Sequence, residues 1–260
     1  NLSVGAYNNT FIEIIISVFM FIFGINFTLH YYALKGNIKS IFKDEEFRFY
    51  SGVVIISIIL ITINLTGIVF NSIGESLRHA SFQVSSVITT TGYSTYDFNL
   101  WPTFSKSILV LLMFIGASAG STGGGMKCIR FVVVLKTIKR ELKKVIHPRS
   151  VHTVKIGGRN LDEGVLSGVT AYFFSFFSIF VIAILLISLD GKDLITTFTS
   201  VVTTINNIGP GLGQVGSLGN FADFSGFSKL VFSVVMLFGR LEIFPVMILF
   251  TPAFWRRANI

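Results

Sequence analysis

Five long apolar runs dominate this chain and limit what it can fold into: Phe11–Leu34, Gly52–Phe70, Phe104–Ala119, Val165–Leu189 and Phe227–Phe250. Most approach or exceed the roughly 20 residues needed to cross about 30 Å of hydrocarbon. Charged residues make up 13% of the 260, about half the share of an ordinary soluble domain. The pattern predicts an all-α membrane protein with five crossings. The first run has neither the charged leader nor the small-residue cleavage site of a signal peptide. The chain also begins abruptly, as though cut from something longer.

A net charge of +8 raises nucleic acid as a partner, but its distribution reads as topology. Lys35, Lys39, Lys43 and Arg48 separate the first two runs, ten Lys/Arg lie from Lys127 to Arg159, and Arg256 and Arg257 follow the last run. The opposite loops hold only Arg78, Lys106, Lys192 and Lys229. The positive-inside rule then places the N-terminus outside and the C-terminus in the cytoplasm, with the bilayer and not nucleic acid as the partner. The single cysteine, Cys128, excludes an internal disulfide and a cysteine-cluster metal site.

Two segments of the chain repeat. Ser81–Ser94 (SFQVSSVITTTGYS) aligns with Phe198–Gly211 (FTSVVTTINNIGPG), matching Val84, Ile88 and Gly92 to Val201, Ile205 and Gly209. Lys106–Gly116 aligns with Lys229–Gly239 through Lys106, Met113 and Gly116. Each repeat reads as spanning helix, short helix, glycine turn, spanning helix, starting from and returning to the same side, so the two are parallel repeats. The expected division is a helix and cytoplasmic loop over 1–50, one unit over 51–126, a basic linker over 127–162 and a second unit over 163–260. The short segments Leu77–Thr90 and Leu194–Ile205 cannot cross. They are expected to be re-entrant helices followed by extended backbone, which at membrane depth must be buried in protein or line a water-filled cavity.

That arrangement suits a cation. A helix entering from outside aims its C-terminal partial negative charge at the membrane centre. A following glycine turn can point successive carbonyls at an ion and replace its hydration shell. Thr90-Thr91-Gly92-Tyr93-Ser94 and Asn207-Ile208-Gly209-Pro210-Gly211 both have glycine third, as does the potassium-channel filter Thr-Val-Gly-Tyr-Gly.

On these motifs the chain resembles the Trk/Ktr/HKT potassium transporter family, whose members are similar to four fused, degenerate potassium-channel units. Thr89–Ser94 looks like the third filter, Asn206–Gly211 like the fourth, Gly116–Lys127 like an intramembrane gating loop, and Gly239–Pro245 like the last helix with its arginine. Gly24-Ile-Asn-Phe27 and Leu29-His30 resemble the last helix of the second unit. The resemblance implies K⁺ as the transported ion, with no cofactor. It implies filter carbonyls from Thr90, Thr91, Gly92, Tyr93, Asn207, Ile208, Gly209 and Pro210, and gating through Gly120, Gly123, Gly124, Gly125 and Arg240. It further implies the N-terminal half of the same subunit as a partner, a homodimer, a cytoplasmic nucleotide-binding regulatory subunit and a bacterial inner membrane.

Other signals bear on that reading. Gly116–Lys127 lacks the Gly-Lys-Ser/Thr ending of a nucleotide-binding loop, since Gly125 precedes Met126-Lys127-Cys128. It reads either as a helix broken for close packing or as a plug beneath the filter. Arg240 lies well inside a run, where an arginine costs roughly 2.5–3.5 kcal/mol on insertion scales, so it is expected to face the bundle interior or water beneath the filter and to meet the glycine-rich loop as an electrostatic barrier, the alternative being snorkelling to the cytoplasmic side. Glu242, two positions on, sits on another helix face and is not its expected partner. Glu75, Asp97, Asp190, Asp193 and Asp223 fall on the outer side and could concentrate cations. His30, His79, His147 and His152 form no metal-ligand spacing, and no nucleophile–base pair indicates an enzyme. The competing class is a non-conducting scaffold or receptor of helical repeats.

Overall fold

The computed structural model describes residues 2–150, 152–241 and 243–257. They form a helical bundle with one short antiparallel hairpin, β1 (Lys155–Ile156) against β2 (Arg159–Asn160). The helices in chain order are α1 (Thr10–Phe23), α2 (Phe27–Leu34), α3 (Lys39–Lys43), α4 (Glu45–Leu65), α5 (Ile73–Ile88), α6 (Thr103–Phe114), α7 (Cys128–Ile146), α8 (Glu163–Ile187), α9 (Leu194–Ile205), α10 (Gly226–Arg240), α11 (Ile243–Leu249) and α12 (Pro252–Arg257). Helix α4 shows the logic of the bundle. Its inward stripe is Glu46, Tyr50, Val54, Ser57, Ile61 and Leu65, while Ile55, Ile56, Ile59 and Ile63 stand exposed. Apolar side chains on both faces suit a helix with protein on one side and lipid on the other.

The duplication is visible in three dimensions. Helix α4 packs on α5 and α6, α8 packs on α9 and α10, and α6 touches α9, so α4–α5–α6 and α8–α9–α10 are successive copies of one unit. A single apolar core runs through both. The short helices α5 and α9 are enclosed by the rest, with Phe82–Thr89 and Thr199–Asn206 buried throughout. Each starts at a capping side chain on its outer end. Ser72 Oγ accepts from the Glu75 N–H at 3.2 Å, and Asp193 Oδ2 accepts from the Thr196 N–H at 3.1 Å.

Not all of the five apolar runs are single helices. Among the described residues, only α4 and α8 are single helices long and apolar enough to cross a membrane. The first run is two helices, α1 and α2, whose axes diverge by 98°, and the last is α10 and α11, diverging by 117°. The third stops after α6, whose 12 residues reach about 18 Å at 1.5 Å per residue. All three breaks fall within two residues of a glycine, Gly24, Gly116 or Gly239, where another chain segment lies in the place of a side chain. A Cβ on Gly24 would sit 2.2 Å from the Tyr50 hydroxyl and 2.9 Å from Thr89 Cγ2; one on Gly239 would sit 1.7 Å from the Ile205 carbonyl. Gly24 and Gly239 let their helices press against the ends of α5 and α9, whereas Gly116 packs against the returning limb of the loop at Gly124 and Met126.

Candidate ion pathway

Helices α5 and α9 end in the same hydrogen-bonded stop. The Thr90 N–H bonds Val87 O at 3.1 Å and the Thr91 N–H bonds Ser86 O at 2.9 Å; the Asn207 N–H bonds Thr204 O at 3.1 Å and the Ile208 N–H bonds Thr203 O at 2.9 Å. This is the left-handed C-terminal stop that ordinarily takes glycine. Here Thr90 and Asn207 occupy it, both at φ +55°. Glycine returns two residues later, Gly92 at φ +78° and Gly209 at φ +111°.

The two turns lie side by side. A Cβ on Gly92 would come within 2.2 Å of the Ile208 carbonyl oxygen and 3.2 Å of Pro210 Cδ. Gly209 faces open space, and it is exposed together with Thr91 and Tyr93. Behind the first turn, Ser86 Oγ donates to Tyr93 O at 2.6 Å, so that carbonyl is engaged with its own short helix. Behind the second, Thr199 Oγ1 donates to Leu212 O at 3.1 Å and accepts from the Leu212 N–H at 3.0 Å. The segments that follow are tied across the repeat by Asn99. Its amide donates to Gly213 O at 3.2 Å and accepts from the Gly213 N–H at 3.0 Å.

Directly beneath the two helix ends runs the glycine-rich stretch between α6 and α7. Its limbs, residues 116–118 and 123–126, are buried, while Gly120 and Thr122 at the tip are exposed. A Cβ on Gly124 would lie 2.9 Å from Asn206 O, and one on Gly125, at φ +68°, would lie 2.8 Å from Asn206 Oδ1. The stretch is glycine-rich because a backbone with side chains could not approach these helix ends. The Gly124 N–H donates to Thr90 Oγ1 at 2.7 Å, joining loop to turn. Arg240 reaches the loop from α10, its guanidinium donating to Thr122 O at 3.5 Å. Lys127 Nζ donates to Gly123 O. Both cations, with Gly239 and residues 121–125, line a cavity of about 280 Å³. The structure thus brings Gly123, Gly124 and Gly125 against the ends of α5 and α9, while Arg240 meets the loop at Thr122 and Gly120 lies beside Asn26. Glu242 lies outside the described residues.

Two buried carboxylates escaped the sequence analysis. Glu46, on α4, accepts at Oε1 from the Ala119 N–H at 2.7 Å and the Ile129 N–H at 2.9 Å. Glu13, on α1, lies 3.3 Å from Arg78 Nε of α5. A signal for Glu46 existed. It is four residues before Tyr50 and eight before Val54, so helical spacing puts it on the inward stripe. The outer acids are structural in part. Asp97 accepts from Ser217 Oγ at 2.8 Å, Asp190 from the Ser225 N–H at 2.9 Å, and Asp193 caps α9. Those hydrogen bonds hold the Asp190 and Asp193 carboxyls below the usual carboxylate range. Among the described residues no group of His, Cys, Asp and Glu could hold a metal ion.

Known proteins share this arrangement. Residues 1–257 match the family model of TrkH, described as a cation transport protein. The chain is 41% identical to the Trk system potassium uptake protein TrkH of Salmonella typhimurium, over 98% of this chain and 53% of that protein. It is 34% identical to the Trk system potassium uptake protein TrkG of Escherichia coli, over 98% and 52%. The crystal structure of the potassium transporter TrkH from Vibrio parahaemolyticus matches with a TM-score of 0.91 at 39% identity, over 98% of this chain and 55% of that one. The chain spans about half the length of the curated relatives it matches. With a family match along nearly its whole length, and the fold of a solved member, this chain belongs to the TrkH cation transport protein family.

Proposed function

We propose that the chain supplies two of the filter-bearing units of a potassium-uptake pore. The observation that carries this reading is the pair of adjoining turns with one backbone conformation, each at the inner end of a buried short helix. Helix dipoles put partial negative charge there, and peptide oxygens next to it replace water around a monovalent cation. The oxygens of Thr90, Thr91, Gly92, Asn207, Ile208 and Gly209 line the ion's route, with those of Tyr93 and Pro210 at its outer end. The relatives' printed names support potassium as the ion.

The glycine-rich loop crosses that route from below, and Arg240 adds a fixed positive charge beside it, so together they form a gate that opposes cation passage. Deleting Ala117–Gly124 in the full-length protein is expected to raise flux, and Arg240→Ala to raise conductance and alter its voltage dependence. Unchanged values in folded variants would remove the gate. The remaining filter walls come from the N-terminal half of the same subunit. The complete protein works as a homodimer in a bacterial inner membrane, C-terminus in the cytoplasm, with a nucleotide-binding regulatory subunit docked on the basic linker over 127–162.

The test is tracer K⁺ uptake by full-length Gly92→Ala in a potassium-uptake-deficient cell. A filter loses uptake, whereas a helical scaffold with normal membrane insertion tolerates the change.

A further inference from the structure

The loop read above as a gate needs something to hold it in place, and the inward face of α4 has the means. Glu46 is 6% exposed, and one of its oxygens accepts two backbone N–H groups ten residues apart. Ala119 lies on the limb entering the loop tip, and Ile129 lies in the first turn of α7, so this oxygen pins the two ends of the loop to each other. The first turn of a helix presents unsatisfied N–H groups and partial positive charge, which favours a carboxylate there. A charged acceptor makes each bond roughly twice as strong as a neutral one.

The same face of α4 organises the rest of the attachment. One helical turn on, Tyr50 donates to Phe21 O at 3.1 Å and fills the space left by Gly24 at the break between α1 and α2. That break frees backbone groups for the loop. The Ser118 N–H donates to Gly24 O at 3.0 Å, and the Phe27 N–H donates to Gly120 O at 3.1 Å. At its tip and far limb the loop is held from outside the loop and α7 by Thr90, by Arg240 across 3.5 Å and by Phe23 O, which accepts from Thr122 Oγ1 at 3.5 Å.

We infer that Glu46 is the positioning residue that latches the glycine-rich loop across the ion pathway. Releasing its carboxylate frees the loop to swing out, about a hinge at the broken first span, breaking the Gly124–Thr90 contact while the backbone of both filter turns stays in place. This rests on the reading of the loop as a gate.

The experiment compares Glu46→Ala, Glu46→Gln and deletion of Ala117–Gly124 in the full-length protein reconstituted in liposomes, measuring tracer K⁺ and Na⁺ flux. Glu46→Ala is expected to raise K⁺ flux by about tenfold or more, the population shift released by losing its two charge-assisted hydrogen bonds. The K⁺/Na⁺ ratio stays at the wild-type value, because the turns are intact. Glu46→Gln falls between, since its amide oxygen still accepts. A second readout does not depend on flux. Ser118 is 1% exposed, so Ser118→Cys resists a thiol reagent in an otherwise unaltered protein and reacts faster beside Glu46→Ala or Glu46→Gln. The latch is overturned if the deletion raises flux while both Glu46 variants keep wild-type flux and leave the introduced thiol protected. It is equally overturned if flux rises with a collapsed K⁺/Na⁺ ratio, which would mean a damaged filter. If the deletion itself leaves flux unchanged, the gate reading fails, and the latch with it.

Discussion

The two glycine turns have one backbone and two sets of attachments. Both begin with a non-glycine residue at φ +55° and place glycine two residues on. Thr90 then turns its hydroxyl to the loop, accepting from Gly124, while Asn207 turns its amide to its own unit, donating to Met236 O of α10 at 3.1 Å. Gly92 is wedged against Ile208, and Gly209 is open. A duplicated segment keeps the hydrogen bonds that set its backbone, because these come from the peptide itself. Its side chains are free to take different work. In this chain the first turn is joined to the glycine-rich loop and the second to the bundle.

The strongest way to break that comparison is to put a methyl group on each glycine. Gly92→Ala adds a backbone clash to a left-handed φ that alone costs about 1–2 kcal/mol. Gly209→Ala bears only the strain of φ +111°. Tracer uptake by the full-length protein is expected to fall more than tenfold (about 1.4 kcal/mol) in the first and by less in the second. Equal losses would show that wedging against Ile208 does not matter.

A smaller effect separates the attachments. Thr90→Val keeps the branched shape and removes the acceptor for Gly124, so basal K⁺ flux rises severalfold. Asn207→Ala removes a bond to α10 and leaves the loop's anchor at Thr90 in place, so it lowers thermal stability by about 1 kcal/mol and does not raise basal flux. A rise in flux from Asn207→Ala alone would exchange the roles assigned to the two turns.

The smallest effect lies at the outer helix caps. Ser72→Ala and Asp193→Ala each cost about 1 kcal/mol at neutral pH. Only the second cap titrates. Thr196 holds the Asp193 carboxyl below its ordinary value, so its contribution is fully present above the unfolded pKa of about 3.9 and is lost as pH falls through the lower folded value. The melting-temperature difference between wild type and Asp193→Ala should therefore shrink on acidification, while that for Ser72→Ala stays constant.

Much of the fold was legible in the chain. Helices α5 and α9 lie within a few residues of the segments read as re-entrant, and the pairing of Gly92 with Gly209 reappears as paired backbone turns. The broken first run was not legible. Gly24 sits in a stretch whose composition suits one continuous helix, and only Tyr50 and Thr89 pressing on it explain the 98° turn. Glu46 was missed for a related reason. At the head of α4 it resembles any first-turn acid, and what buries it is a loop more than 70 residues away.

The sequence alone determined which segments are apolar enough for a membrane, where the chain repeats, and which residues end the short helices. Those properties arise from hydropathy and backbone preferences acting over a few neighbouring residues. Tertiary structure alone decided that the glycine-rich stretch lies beneath both helix ends, that Arg240 meets Thr122, and that one buried carboxylate gathers the loop. Each is a contact between residues some 30 to 120 positions apart, where close approach of two backbones and the desolvation of a charge depend on what packs opposite, which no local pattern encodes.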